Sequence, residues 1–166
     1  VMRKETESYS RPLYGRVDHR LVIRPLDVRT CMEFHPDVSL RDQVSTYLTI
    51  GGIPRYQRKM LAPTFEENIM SRYIGDTRDM DEEGPSFIRS EIDNAKTHLG
   101  VVSCIASGSV RQSEIADKMG IDRATCKKVL DQLEDVDIVR RVNPMFNAPK
   151  KPVYYIEDNA VAFHYQ

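Results

Sequence analysis

The segment Ser109–Ile156 constrains this chain most, because it holds two short helical patterns and one residue able to join them tightly. Ile115, Ala116 and Met119 share one face of a helix predicted over Gln112–Met119. Gly120 ends it, since glycine takes the left-handed closing turn without steric penalty. Asp122 is a good N-cap for a second helix, Arg123–Asp135. On that helix Cys126, Val129, Leu130 and Leu133 recur at i, i+3, i+4 and i+7 and form its buried stripe. Two helices across a glycine-containing turn make a helix-turn-helix. Asp137–Val142 and Pro152–Ile156 then read as two β-strands across a loop bearing Pro, Asn and Lys. The expected unit is a winged helix-turn-helix.

Several function classes are disfavoured by bulk properties. The 166 residues allow one ordinary domain or two small ones, and 40% hydrophobic residues supply a core. No apolar run approaches the roughly 20 residues of a membrane span. The first residues are charged and polar, unlike a signal peptide. A net charge of −1 argues against nonspecific nucleic-acid binding by the whole surface, though not against a local basic face. Cys31, Cys104 and Cys126 lie far apart without metal spacing, and Cys104 and Cys126, in helical apolar patterns, read as reduced core residues of a cytoplasmic protein. His19, His35, His98 and His164 likewise show no ligand spacing, so no metal site is expected.

Upstream of the winged helix, Val1–Ser10 is polar, and Arg11–Arg16 reads as a compact turn around Pro12 and Gly15. Arg20–Arg24 is expected to be a short strand, β-branched at its centre. A lone strand is unstable, and the residues that follow offer it no partner. With a first residue that is not Met, this suggests a piece of a longer protein. Helices are then expected at Val28–Phe34, Leu40–Ile50, Pro54–Leu61, Phe65–Ile74, Pro85–Ile92 and Ala95–Ser107, with an acidic loop over Gly75–Gly84. Asp27, Ser39 and Thr64 are their N-caps, Thr64 with Glu67 as a capping box. Leu40, Val44, Tyr47 and Leu48 are expected to form one face. The expected layout is mainly α: 1–24 a remnant of a preceding domain, 25–92 a helical module, 94–157 the winged helix, and 158–166 the start of a further segment.

Four pieces occur in order: PLYGR at Pro12–Arg16, the strand with PLD at Pro25–Asp27, GGIPRY at Gly51–Tyr56, and the winged helix with SEIADKMGI at Ser113–Ile121. The ordered set resembles the C-terminal half of archaeal-type P-loop ATPases of the STAND class, relatives of AAA+ proteins, over nearly the whole chain. The resemblance implies a P-loop domain binding ATP with Mg, a helical lid corresponding to 25–92, and a winged helix moved by nucleotide state. The G-x-x-x-x-G-K-[ST] phosphate loop and an apolar strand ending in paired acids are both missing here, so this chain alone is not expected to hydrolyse ATP or hold a cofactor.

Arg16 is the candidate for sensing the transferring phosphate, a role suited to a guanidinium. Gly51, Gly52 and Pro54 are candidates for contact with the adenine: glycines permit close approach and the proline ring is flat. The same residues also read as a helix stop followed by a helix start. Arg123, Thr125, Lys127 and Lys128 on the second helix, with Arg140, Arg141, Lys150 and Lys151 on the wing, are candidates for duplex DNA phosphates. Nine Lys/Arg against seven Asp/Glu between Gly108 and Lys151 leave a balance of +2, so packing or protein contact competes with DNA as the role of this face. The expected function is the regulatory part of an ATP-binding switch. The alternatives are a stand-alone winged-helix transcription regulator and an interaction scaffold with an apolar patch exposed on the helical module. Partners are thus a P-loop domain, duplex DNA or another protein, and no membrane.

Overall fold

The computed structural model describes residues 18, 19, 21, 23–76, 78–143 and 151–166. Val1–Ser10, the turn ending at Arg16, and Lys150 lie outside the described residues, as do Arg20 and Val22 of the expected strand. Leu21 and Ile23 are described; they belong to no strand and are 84% and 85% exposed. This corrects the expected strand at those two positions: among the described residues no strand lies beside them to complete backbone pairing.

The protein is mainly helical, with a two-stranded antiparallel sheet after the helices. α1 (Val28–Met32) is capped by Asp27, whose Oδ1 accepts from the Thr30 N–H at 2.9 Å. α2 (Leu40–Ile50) is capped by Ser39, whose Oγ accepts from the Asp42 N–H at 3.2 Å. Gly51, at φ +70°, ends it. α3 (Pro54–Gln57) begins on a proline, where a missing N–H costs nothing. α4 (Phe65–Ile69) is capped by Thr64 and continues as one π-helical turn, Met70–Ile74. The sequence pattern implied α-helix throughout Phe65–Ile74. Instead the Gly75 N–H donates five residues back, to Met70 O at 2.6 Å.

α2 also corrects the expected buried face. Its buried residues are Thr46, Thr49 and Ile50, while Leu40 and Leu48 are 68% and 67% exposed. Thr49 tolerates burial because its hydroxyl donates to Ser45 O at 2.9 Å. The core of this module gathers Ile50, Tyr56, Met60, Tyr73, Met80 and Ala160, with Ile53, Ile69 and Phe163 around it.

α5 (Glu83–Glu91) leads to α6 (Lys96–Ala106), then α7 (Gln112–Met119), a left-handed Gly120 at φ 63°, and α8 (Arg123–Asp135). Asp122 caps α8 by accepting from the Ala124 and Thr125 N–H groups, both at 2.9 Å. The α8 stripe of Cys126, Val129, Leu130 and Leu133 is wholly buried. β1 (Val139–Val142) pairs antiparallel with β2 (Val153–Ile156), Val139 opposite Ile156 and Arg141 opposite Tyr154. The segment between α6 and α7 adds a short third rung: Arg111 bridges Val153, and the Tyr154 N–H donates to Val110 O at 2.8 Å. Tyr154 fills the core while Tyr155 faces outward, as period-2 alternation requires.

α9 (Asn159–His164), capped by Asp158, returns from β2 onto the first module. Ala160 and Phe163 enter the first core and Val161 the second. Ile88 of α5 and Ile92 also belong to the second core. A side chain on Gly84 of α5 would meet Val161 Cγ2 at 3.0 Å, so α5 and α9 pack closely. The two cores are thereby joined through α5 and α9.

Candidate functional site

The Gly51–Arg55 turn is fixed from three sides. The Leu26 N–H donates to Gly52 O at 2.8 Å. A Cβ on Gly52 would lie 1.9 Å from Leu26 O, so only glycine fits beneath that strand of backbone. Gln57, itself buried, donates its Nε2–H to Gly51 O at 2.7 Å. Its Oε1 must then accept, so the proton between it and His35, 2.8 Å away, sits on His35 Nε2. Asn159 closes the third side: its Nδ2 donates to Tyr47 O and Leu48 O, both at 3.1 Å. These carbonyls belong to the last turn of α2, and Tyr47 O also accepts the closing bond from the Gly51 N–H at 2.8 Å.

The three candidates on this turn therefore differ. Gly52 is buried against Leu26 and presents no free surface, while Gly51 faces Asn159. Pro54 is exposed and offers its ring outward, the one member of the three suited to a flat ligand. Arg55 beside it is exposed and pairs with Glu83 at 3.0 Å. Behind it Lys59 reaches Glu83 at 2.6 Å and Asp79 at 3.2 Å, and Arg72 reaches Asp79 at 3.5 Å. His164 Nδ1 lies 2.9 Å from Asp81, and Arg89 pairs with Glu82. Asp79, Glu82 and Glu83 of the acidic loop are thus paired with the protein's own lysine and arginines.

Beneath the turn, burial raises the Tyr56 hydroxyl to about 12, helped by the Asp158 and Glu83 charges. Burial and the Asp158 charge push Tyr73 up as well, and its buried hydroxyl has no partner among the described residues. Burial also raises Asp158, against the backbone N–H groups of Val161 and Ala160 that favour its ionised form.

On the winged helix, Arg123, Thr125, Lys127 and Lys128 are all exposed on α8, and Arg140, Arg141 and Lys151 are exposed on the wing. Some of this charge is already met. Lys127 pairs with Asp131 at 2.6 Å, one helical turn on, and that bond raises its pKa. Arg140 pairs with Glu157 at 2.9 Å. The Thr125 hydroxyl donates to Asp122, the α8 cap. Arg141 lies opposite Tyr154 across the sheet; burial raises the Tyr154 hydroxyl, with the Arg141 and Lys127 charges opposing the rise and those of Glu134 and Asp131 adding to it, so the surroundings are of mixed sign. His98, on α6, is buried; its Nε2 lies 2.9 Å from Gln132 Oε1 and its Nδ1 has no partner among the described residues. Among the described residues no group of three His, Cys, Asp or Glu could hold a metal ion, and no helix is long and apolar enough to cross a membrane.

Asn159, Gln57 and Leu26 fix the turn and carried no signal in sequence. Leu26 and Asn159 act across distances in the chain that no local pattern encodes: Asn159 lies 112 residues from Tyr47.

Fold and surface together define a helical module joined to a winged helix-turn-helix with a mixed-charge outer face. The chain belongs to the family described as a domain of unknown function, DUF8612, whose model matches residues 41–164, from α2 to α9. It is also similar to a protein named Uncharacterized protein MJECL04 from Methanocaldococcus jannaschii, 29% identical over 176 residues. That alignment takes in 100% of this chain and 38% of the relative, so the chain spans little more than a third of the relative's length.

Proposed function

We propose that this chain is the lid and winged-helix part of an ATP-dependent molecular switch. In this reading a P-loop domain elsewhere in the full-length protein binds ATP with Mg, and the Gly51–Pro54 turn closes over the base. The observation that carries it is the build of that turn. Its backbone is held by Leu26 and Gln57, Asn159 holds the end of α2 that leads into it, and its exposed tip is Pro54 followed by Arg55. Rigid backbone behind a flat apolar tip is what a nucleobase contact needs, because little ordering is lost on binding. The ordered PLYGR and GGIPRY motifs support the same reading, with Arg16 as the residue near the phosphates. Three free, buried cysteines fit a reducing cytoplasm. The test is MgATP binding by the full-length protein, with Pro54→Ala as the probe. The expected result is a Kd raised about fivefold, close to 1 kcal/mol. A full-length reading frame without a G-x-x-x-x-G-K-[ST] segment, or no MgATP binding, defeats the proposal.

A second reading, duplex DNA binding by α8 and the wing, is favoured by the exposed cations Arg123, Lys127 and Lys128 on α8 and Arg140, Arg141 and Lys151 on the wing. It is compatible with the first, since a switch needs an output. A protein partner docking on the exposed α2 face of Leu40 and Leu48 is the other output the surface supports.

A further inference from the structure

We infer that Asn159 is the positioning residue that transmits the state of the Gly51–Pro54 turn to the wing; this rests on the nucleotide reading above and adds its regulation. The path is short and made of fixed parts. Asn159 Nδ2 holds the last carbonyls of α2, Tyr47 O and Leu48 O, and its Cβ would lie 3.5 Å from a side chain placed on Gly51. Tyr47 O also accepts from the Gly51 N–H at 2.8 Å, so Asn159 and the glycine turn share one acceptor. On its other side Asn159 begins α9, with Asp158 Oδ1 capping that helix through the Val161 N–H at 2.9 Å. Glu157, one residue earlier, donates its N–H to Ile138 O at 2.8 Å, just before β1 begins. From the turn to the wing the bonded path runs through the glycine turn, the shared carbonyl, Asn159, the start of α9, β2 and β1.

A ligand that shifts the turn must either break the Asn159 contacts or carry α9 with it. The second course moves the wing, because β2 runs into α9 without a loop longer than two residues. Thermodynamic reciprocity follows: whatever the turn does to the wing, a ligand on the wing does to the turn. Asn159 meets the turn from behind, at Gly51, while the exposed tip is Pro54, so its role is coupling and not ligand contact.

The experiment is hydrogen exchange on the full-length protein with and without MgATP, for the natural chain, Asn159→Asp and Asn159→Ala. Asn159→Asp keeps the shape but replaces the donor with an acceptor facing two carbonyls; Asn159→Ala removes the group if the aspartate variant fails to fold. In the natural chain MgATP is expected to slow exchange about fivefold both at residues 51–56 and at 139–142. In the variants the effect at 51–56 persists and the effect at 139–142 disappears. A natural chain protected only at 51–56 overturns the coupling and leaves the nucleotide reading standing. Variants that exchange faster everywhere, yet keep the same MgATP ratio at 139–142, reduce Asn159 to a structural contact and also overturn it. No MgATP effect at either segment removes the nucleotide reading and the coupling with it.

Discussion

Gly52 and Gly120 separate two reasons for a glycine. At Gly120 a side chain would meet nothing within 4 Å, and only the left-handed φ of 63° resists it. Gly120→Ala is expected to cost about 1 kcal/mol, the strain of an L-residue in that region. At Gly52 a Cβ would sit 1.9 Å from Leu26 O, and backbone must move to admit it. Gly52→Ala is expected to cost about 3 kcal/mol and to break the Leu26–Gly52 hydrogen bond, the upper range for overpacking. Urea unfolding of the two variants measures the difference; equal losses would show that the Leu26 contact yields easily. Asp158 gives a prediction in pH. Its folded pKa is raised, chiefly by burial. A raised carboxyl contributes stability that is full below its unfolded value, about 3.9, and is lost as pH rises through the folded value. Asparagine caps a helix as well as aspartate does. Asp158→Asn is therefore expected to melt higher than the natural chain at pH 7, the gap closing towards pH 4. A gap that widens on acidification would reverse the assigned sign.

Among the elements, α8 and the wing carry the nucleic-acid question. The Lys127–Asp131 pair is exposed and of the i, i+4 kind, so it contributes little to stability. Breaking it frees a cation for phosphate at small structural cost. Asp131→Asn is expected to tighten duplex DNA binding a few-fold at low salt, and Lys128→Glu to weaken it about tenfold and lower the salt slope by about 1. Fluorescence anisotropy across a salt series reads both; identical isotherms for all three proteins would exclude this face as a duplex site. The winged helix was legible in sequence because its signals are local: a cap at Asp122, a glycine at 120 and an apolar stripe at helical spacing. The face of α2 was not, for two reasons. Thr46 and Thr49 go inward, with the Thr49 hydroxyl bonded back to the helix, and the polar pair His35–Gln57 lies in the same module. Apolar periodicity therefore pointed to the side carrying Leu40 and Leu48, which lies open. The same holds for the glycine turn. Its residues were singled out correctly as a helix stop and start, but nothing local told that Leu26 covers Gly52.

At the scale of the whole molecule, α9 decides whether the two modules act as one body. Six residues place Ala160 and Phe163 in the first core and Val161 in the second. The Phe163 ring meets Tyr73 edge-on, centroids 4.8 Å apart, at the floor of the first core. Phe163→Ala removes that contact and part of the buried area; with the residue only partly buried, the expected loss is about 2 kcal/mol, below the range for a fully buried phenylalanine. Where the loss falls is the sharper expectation. If α9 welds the cores, buried amides of α2 and α8 in the natural chain open with one common free energy, that of global unfolding. In Phe163→Ala the α2 amides should open at lower free energy than the α8 amides, because the first core then unfolds while the second keeps Val161, Ile88 and Tyr154. Native-state hydrogen exchange in rising urea resolves the two sets. Equal lowering of both would mean that α5, through Ile88 and Ile92, joins the cores strongly enough without α9, and that α9 follows their motion instead of transmitting it.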